Sequence, residues 1–204
     1  MKEYTIAKKT YSENVWSEVE PLNVDTYKWL DNGYEPRVQA QICYDSENIY
    51  IKYSVWETQV TAKYKNMHED VYKDSCVEFF FRPASSPNFF NFETNCIGTL
   101  LLGYGPKRDG REVVKADMAI FEMKPSIKNP DEYSGDMWTL EYKIPFSFLK
   151  KYWGEFDLSE GLYANCYKCG DETAAEHYGM WSPVELPSPD FPRPEFFGRM
   201  YFEI

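Results

Sequence analysis

Residues Val71 to Asn95 read VYKDSCVEFFFRPASSPNFFNFETN, and their alternation decides the fold. Successive side chains of a strand point to opposite faces. In the first run, Ser75, Val77, Phe79 and Phe81 share one face, and Cys76, Glu78, Phe80 and Arg82 share the other. Pro83, Ser85, Ser86 and Pro87 then make a turn. The second run sets Phe90, Phe92 and Thr94 against Asn91, Glu93 and Asn95. The result is a β-hairpin with one apolar face that has to pack on a core. Its other face gathers Glu78, Arg82, Asn91, Glu93 and Asn95. Such a face is either a solvated exterior with incidental charges or a surface that hydrogen-bonds a hydroxyl-rich ligand.

The same period of two runs outward from the hairpin. RVQAQICY (37–44) and IYIKYSVWE (49–57) read as a second hairpin. Further strands are expected at 3–7 (an edge strand), 96–104 with a bulge or close approach at Gly98, 117–124, 136–144, 161–169 and 198–204. Pro145 opens FSFLKKYW, whose apolar spacing predicts one short helix. The stretch HYGMWSPVELPSPDFPRP (177–194) is irregular and rich in proline, and it carries His177, Tyr178, Trp181 and Phe191. A long irregular segment of this kind, with aromatic residues, is expected to be an ordered functional loop. About ten strands, one helix and no repeat predict an all-β protein: an antiparallel β-sandwich, jelly-roll-like, forming a single domain over 1–204.

The chain has 204 residues, a formal net charge of -11 and 18% aromatic residues. The charge argues against nucleic acid and against anionic membrane surfaces, both of which select basic proteins. No run is long and apolar enough for membrane insertion. The N-terminal MKEYTIAKKTYSENVW has no apolar signal core, so either the protein stays inside the cell or a signal segment precedes this chain. Five cysteines, an odd number, leave at least one thiol free and suit buried, reduced residues. Cys166 and Cys169 form a CxxC, but on a strand residues i and i+3 face opposite ways. Zinc would need more ligands, with only Cys76, Cys96 and His177 to supply them, and the spacing fits no finger.

Taken in order, KDSCVEFFF, NFETN before a glycine, WTLEYKIPFSFL, ANCYKCGDE, MWS and the terminal FGRMYFEI resemble the family 9 carbohydrate-binding modules. The likeness covers the chain from about Val38 onward. It implies a β-sandwich without catalytic machinery that binds a carbohydrate ligand, classically at chain ends. Structural calcium also occurs in that family, so calcium is possible while no other cofactor is expected. In the family, two tryptophans sandwich the sugar. Here Val71-Tyr72 and Phe191 stand at those positions. The acidic residue of the VE pair is kept as Glu78, a basic residue of the next strand is replaced by Glu93, and Asn95 is retained.

The candidate ligand-binding set is therefore Tyr72, Glu78, Glu93, Asn95, Lys168, Trp181 and Phe191. Lys168 lies on a late strand that supplies polar contacts in the family. Trp181 stands in the MWS motif, where packing is its plainer role. Two other functions stay open on the residues alone. Glu78 and Glu93 could act as the carboxylate pair of a glycan hydrolase, or the sandwich could bind another protein.

Overall fold

Strand alternation carries through most of the chain in the computed structural model, which describes residues 1–204. The first seven strands are β1 (Glu3–Lys8), β2 (Leu22–Asn23), β3 (Thr26–Tyr27), β4 (Arg37–Tyr44), β5 (Asn48–Trp56), β6 (Cys76–Pro83) and β7 (Phe89–Asn95). The rest are β8 (Leu100–Gly105), β9 (Glu112–Val113), β10 (Lys124–Pro125), β11 (Trp138–Pro145), β12 (Leu162–Cys169), β13 (Tyr178–Met180) and β14 (Gly198–Phe202). The single α-helix, α1 (Phe146–Trp153), buries Phe146, Phe148 and Leu149. It stops at Gly154, whose positive φ of 68° turns the chain away.

The sheet is mixed and curls into two layers. One layer runs β10-β11-β5-β4-β1, and the other runs β1-β14-β12-β6-β7-β8-β9. β1 belongs to both. Its first half pairs in parallel with β14 (Glu3 to Ile6 against Arg199 to Phe202), and its end pairs in parallel with β4 (Ala7 and Lys8 against Cys43 and Tyr44). This corrects two expectations. The sheet is not purely antiparallel, and Glu3–Lys8 is an internal strand rather than an edge. No hairpin turn ties β1 to either neighbour, so nothing in the connection imposes the antiparallel sense.

Two shorter segments also differ from their expected strands. Asp117 accepts a hydrogen bond from the Ala119 N–H at 3.0 Å and caps a 3-10 turn over Met118–Phe121. Only Lys124 and Pro125 then pair as a strand. Gly98, with φ of 85°, closes a turn by donating its N–H to the Asn95 carbonyl at 2.9 Å, so β8 begins at Leu100.

The core lies between the layers. Val77, Phe79, Phe81, Phe90 and Phe92 meet Ile42, Ile51, Tyr53, Val55 and Leu140 in one apolar cluster. A fully buried side chain of this size contributes roughly 1.5–3 kcal/mol by leaving water. The apolar face of the central hairpin is thus spent on the core. Its other face points outward and is covered by a second apolar cluster, which contains Phe80, Phe89, Tyr167, Cys169, Tyr178 and Phe191.

Candidate functional site

The proline-rich segment after Trp181 lies over the outer face of β6, β7 and β12. The Asn165 side chain holds its start: Nδ2 donates to the Ser182 carbonyl at 2.7 Å, and Oδ1 accepts from the Ser182 N–H at 2.8 Å. Trp29 Nε1 donates to the Leu186 carbonyl at 2.8 Å, and the Tyr167 hydroxyl donates to the Phe191 carbonyl at 3.0 Å. The Phe191 ring stacks on Tyr167, with centroids 4.1 Å apart and planes 15° apart. Arg108 and Arg193 both pair with Asp190, tying the segment to the turn between β8 and β9. That turn is tight because Gly105 packs on the Gly110 carbonyl, where a Cβ would come to 2.6 Å.

Between this segment and the strands is a cleft of about 190 Å³. Phe191 and half-buried Tyr72 supply aromatic surface, Glu78 and Glu93 form the floor, and Asp171 and Arg111 stand beside them. Glu78 and Glu93 face each other directly across β6 and β7. Their environments differ. Glu93 Oε1 accepts from Asn91 Nδ2 at 2.6 Å and from Arg111 Nη1 at 3.2 Å. Gly103 makes room for the Asn91 side chain, because a Cβ there would lie 2.4 Å from Asn91 Oδ1. Glu78 Oε1 meets only the Cys169 thiol, at 3.1 Å, and its Oε2 is buried without a partner.

Burial, with the charge of Glu93 added, pushes the Glu78 carboxyl well above the usual carboxylate range. Burial also raises Glu93, and Arg111 opposes that rise. Asp171 is pushed up to about 6, by burial first and then by Glu176 and Glu93. The cleft therefore holds several carboxyl groups, of which Glu93 has a committed cation and Glu78 does not.

Four of the seven sequence candidates meet here: Tyr72, Glu78, Glu93 and Phe191. The other three lie outside the cleft. Asn95 Nδ2 donates to the Tyr64 carbonyl and to Asp74, and its Oδ1 accepts from the Thr99 N–H, so its capacity is used in shaping the turn after β7. Lys168 pairs with Val77 in register and so points inward, where it is fully buried. Its Nζ donates to the Cys169 carbonyl at 3.0 Å and to His177 Nε2 at 2.6 Å, and it lies 3.4 Å from Glu57 Oε1. Trp181 is buried in the main core and packs against Gly198. Arg82 is engaged with the carbonyls of Pro83 and Ser86 in the hairpin turn.

Sequence reasoning missed Arg108 and Arg111, which stand in a charged turn with no distinguishing pattern. It also missed Cys169 as a lining residue, because the register of β12 on β6 decides which of its side chains face out. Where three ligating side chains converge, the set is Cys76, Glu78 and Cys169. Calcium asks for six to eight oxygens, and this thiol-rich set does not fit it.

The profile of carbohydrate-binding family 9 matches residues 14–202. The chain belongs to that family, a class of carbohydrate-binding modules without catalysis. Among solved structures, it is similar over 99% of both chains to a candidate carbohydrate-binding protein from Bacteroides uniformis ATCC 8492, with 30% identity and a TM-score of 0.86. It shares its fold with a family 9 module from Caldicellulosiruptor kristjanssonii solved with glucose, at 12% identity and a TM-score of 0.66, covering 99% of this chain and 96% of that one. The same holds for that organism's module solved with cellotriose, at 12% identity and a TM-score of 0.65, covering 99% and 94%. None of the curated proteins compared matches the chain.

Proposed function

We propose that residues 1–204 act as one carbohydrate-binding module, a sandwich of two β layers whose sugar site is the cleft under the proline-rich segment. The observation that carries this reading is an aromatic wall set against a buried carboxyl floor: Phe191 and Tyr72 beside Glu78 and Glu93. A sugar ring offers apolar C–H faces and a rim of hydroxyls. Aromatic faces take the first, and carboxylate and guanidinium groups take the second. The cleft of about 190 Å³ is smaller than the roughly 300–1,000 Å³ of sites for drug-sized ligands. A single sugar ring suits that space better than a length of chain, so the ligand is a monosaccharide or the end of an oligosaccharide.

The test is titration calorimetry against glucose, cello-oligosaccharides and a wider sugar panel. Saturable binding without turnover is expected. Tyr72→Ala should weaken it at least about tenfold, or ~1.4 kcal/mol, with little change in melting temperature because the ring is only half-buried. Absence of binding across the panel overturns the proposal.

A further inference from the structure

Beside Glu78, which the proposed sugar site uses, stand two thiols that sugar binding does not use. Cys76 and Cys169 are register partners on β6 and β12, directly opposite each other on the outward face. Glu78 follows two positions after Cys76 and therefore shares that face. One ligating atom from each of the three lies within 4.8 Å of the other two. All three residues are buried, and none of the five cysteines of the chain is in a disulfide. The Cys169 thiol already contacts Glu78 Oε1 at 3.1 Å, while Glu78 Oε2 has no partner at all. A buried carboxyl oxygen without a partner is costly to the fold, and packing alone gives no reason for a carboxyl group beside two thiols.

We propose that Cys76, Cys169 and Glu78 form a binding site for a soft or borderline metal ion, with Zn2+ as the natural occupant. Two thiols select Zn2+ or Cu+ and disfavour calcium and magnesium. In a tetrahedral site, Zn–S bonds of about 2.3 Å and Zn–O bonds of about 2.0–2.2 Å place donors roughly 3.5–3.8 Å apart. The ligand atoms lie within 4.8 Å of one another, and the Cys169 thiol is 3.1 Å from Glu78 Oε1, so shifts of no more than about 1 Å, at χ1 of the cysteines and at the end of Glu78, bring the set to that spacing. Glu78 and Cys169 both line the cleft, which gives the ion a way in and leaves the fourth coordination position facing the cleft. That position takes water or a ligand oxygen. Binding is coupled to loss of both thiol protons and, where Glu78 holds one, of the carboxyl proton, so affinity rises with pH. The CxxC of the sequence is not the metal motif. Cys166 faces the main core, and Cys169 finds its partner across the sheet.

The test is a Co2+ titration of the full chain, reduced and freed of metal with a chelator, under exclusion of oxygen. One equivalent should produce the visible bands of tetrahedral Co2+ and a sulfur-to-cobalt charge-transfer band in the near ultraviolet, and Zn2+ should displace it. Cys76→Ser and Cys169→Ser should each sharply reduce the sulfur band, while Cys166→Ser leaves it intact. Glu78→Gln should keep both thiolates, shift the visible bands and weaken binding. The near-ultraviolet circular dichroism of each metal-free variant, matched to the parent, shows that the loss is loss of a ligand rather than of the fold. No sulfur-to-cobalt band, or a band that survives both serine variants, overturns the proposal. Sugar titrations of the metal-free and loaded chain separate this result from the proposed function, because sugar binding without metal leaves that function standing whatever the cobalt shows.

Discussion

Neighbouring residues of β12 serve two unlike polar clusters. Lys168 turns inward to Glu57 and His177, whereas Tyr167 and Cys169 turn outward to the cleft and its carboxyl floor. In the inner cluster the groups are matched. Glu57 takes Lys168 and the Tyr34 hydroxyl on one oxygen and Trp138 Nε1 on the other. His177 accepts from Lys168 at Nε2 and donates from Nδ1 to the Ala175 carbonyl at 2.7 Å. In the outer cluster Glu78 keeps an oxygen with no partner. Both clusters are buried, so burial alone does not mark a site. They differ in their hydrogen bonds: the matched cluster holds the fold, and the unmatched one is where the proposed ligand would bind.

The contrast breaks first at Glu57. Glu57→Ala strands the buried Lys168 ammonium and should destabilise the chain by about 3–5 kcal/mol, read from urea unfolding. Sugar titrations run well below the melting temperature should be unaffected, because no member of the inner cluster lines the cleft. A loss under about 1 kcal/mol would mean that water enters the cluster, and the distinction drawn from its matched hydrogen bonds would fail.

Phe191 belongs to both kinds of region, since it is only 7% exposed yet forms a wall of the cleft. Phe191→Ala should therefore cost about 3 kcal/mol of stability and also abolish sugar binding. A variant that binds no sugar at unchanged stability would make the ring a pure ligand contact. One that is destabilised but binds normally would make it packing.

The hairpin that builds the outer face was legible because alternation fixes its two faces and its short turn fixes its register, placing Glu78 opposite Glu93. The inner cluster was not legible. Lys168 stood among the candidates because the family resemblance places polar contacts on its strand. Only the pairing of Lys168 with Val77, 91 positions earlier in the chain, shows that it faces the core. Glu57 stands at the end of its strand, where no period predicts a buried carboxylate. Arg111 reaches Glu93 from a turn whose composition looks merely solvated. Local pattern thus gave the faces, while long-range pairing decided which charges are matched. The mixed sense of the sheet escaped for the same reason, since β1 joins both layers without a hairpin.

Glu78→Gln sharpens the contrast from the unmatched side. A carboxyl whose folded pKa is raised contributes stability below its unfolded value and loses it as pH rises. The glutamine variant should therefore match the parent near pH 4 and exceed it at pH 8 by about 2 kcal/mol. It should at the same time bind sugar more weakly. No relative gain at high pH would mean that Glu78 has a partner in solution, with a bound cation the first to test for.

Asp171 gives the smallest effect, and its sign separates the two clusters. Its carboxyl is raised from 3.8 to about 6, so its contribution is present below the lower value and lost as pH climbs through the upper one. His177 runs the other way. Burial and Lys168 lower it from 6.5 to about 3, so the unfolded chain takes up its proton first and stability falls as pH drops from 6.5 toward 3. Over pH 4–6 the two slopes oppose each other in the parent and obscure one another. The difference between the parent and Asp171→Asn cancels His177, which both proteins share. That difference should move in favour of the asparagine variant between pH 4 and 6, by less than about 1 kcal/mol, because Asp171 sits half-exposed at the rim where solvent screens it. Melting temperatures across that range measure it. A difference that moves in favour of the parent would place a cation on Asp171 and remove it from the unmatched cluster.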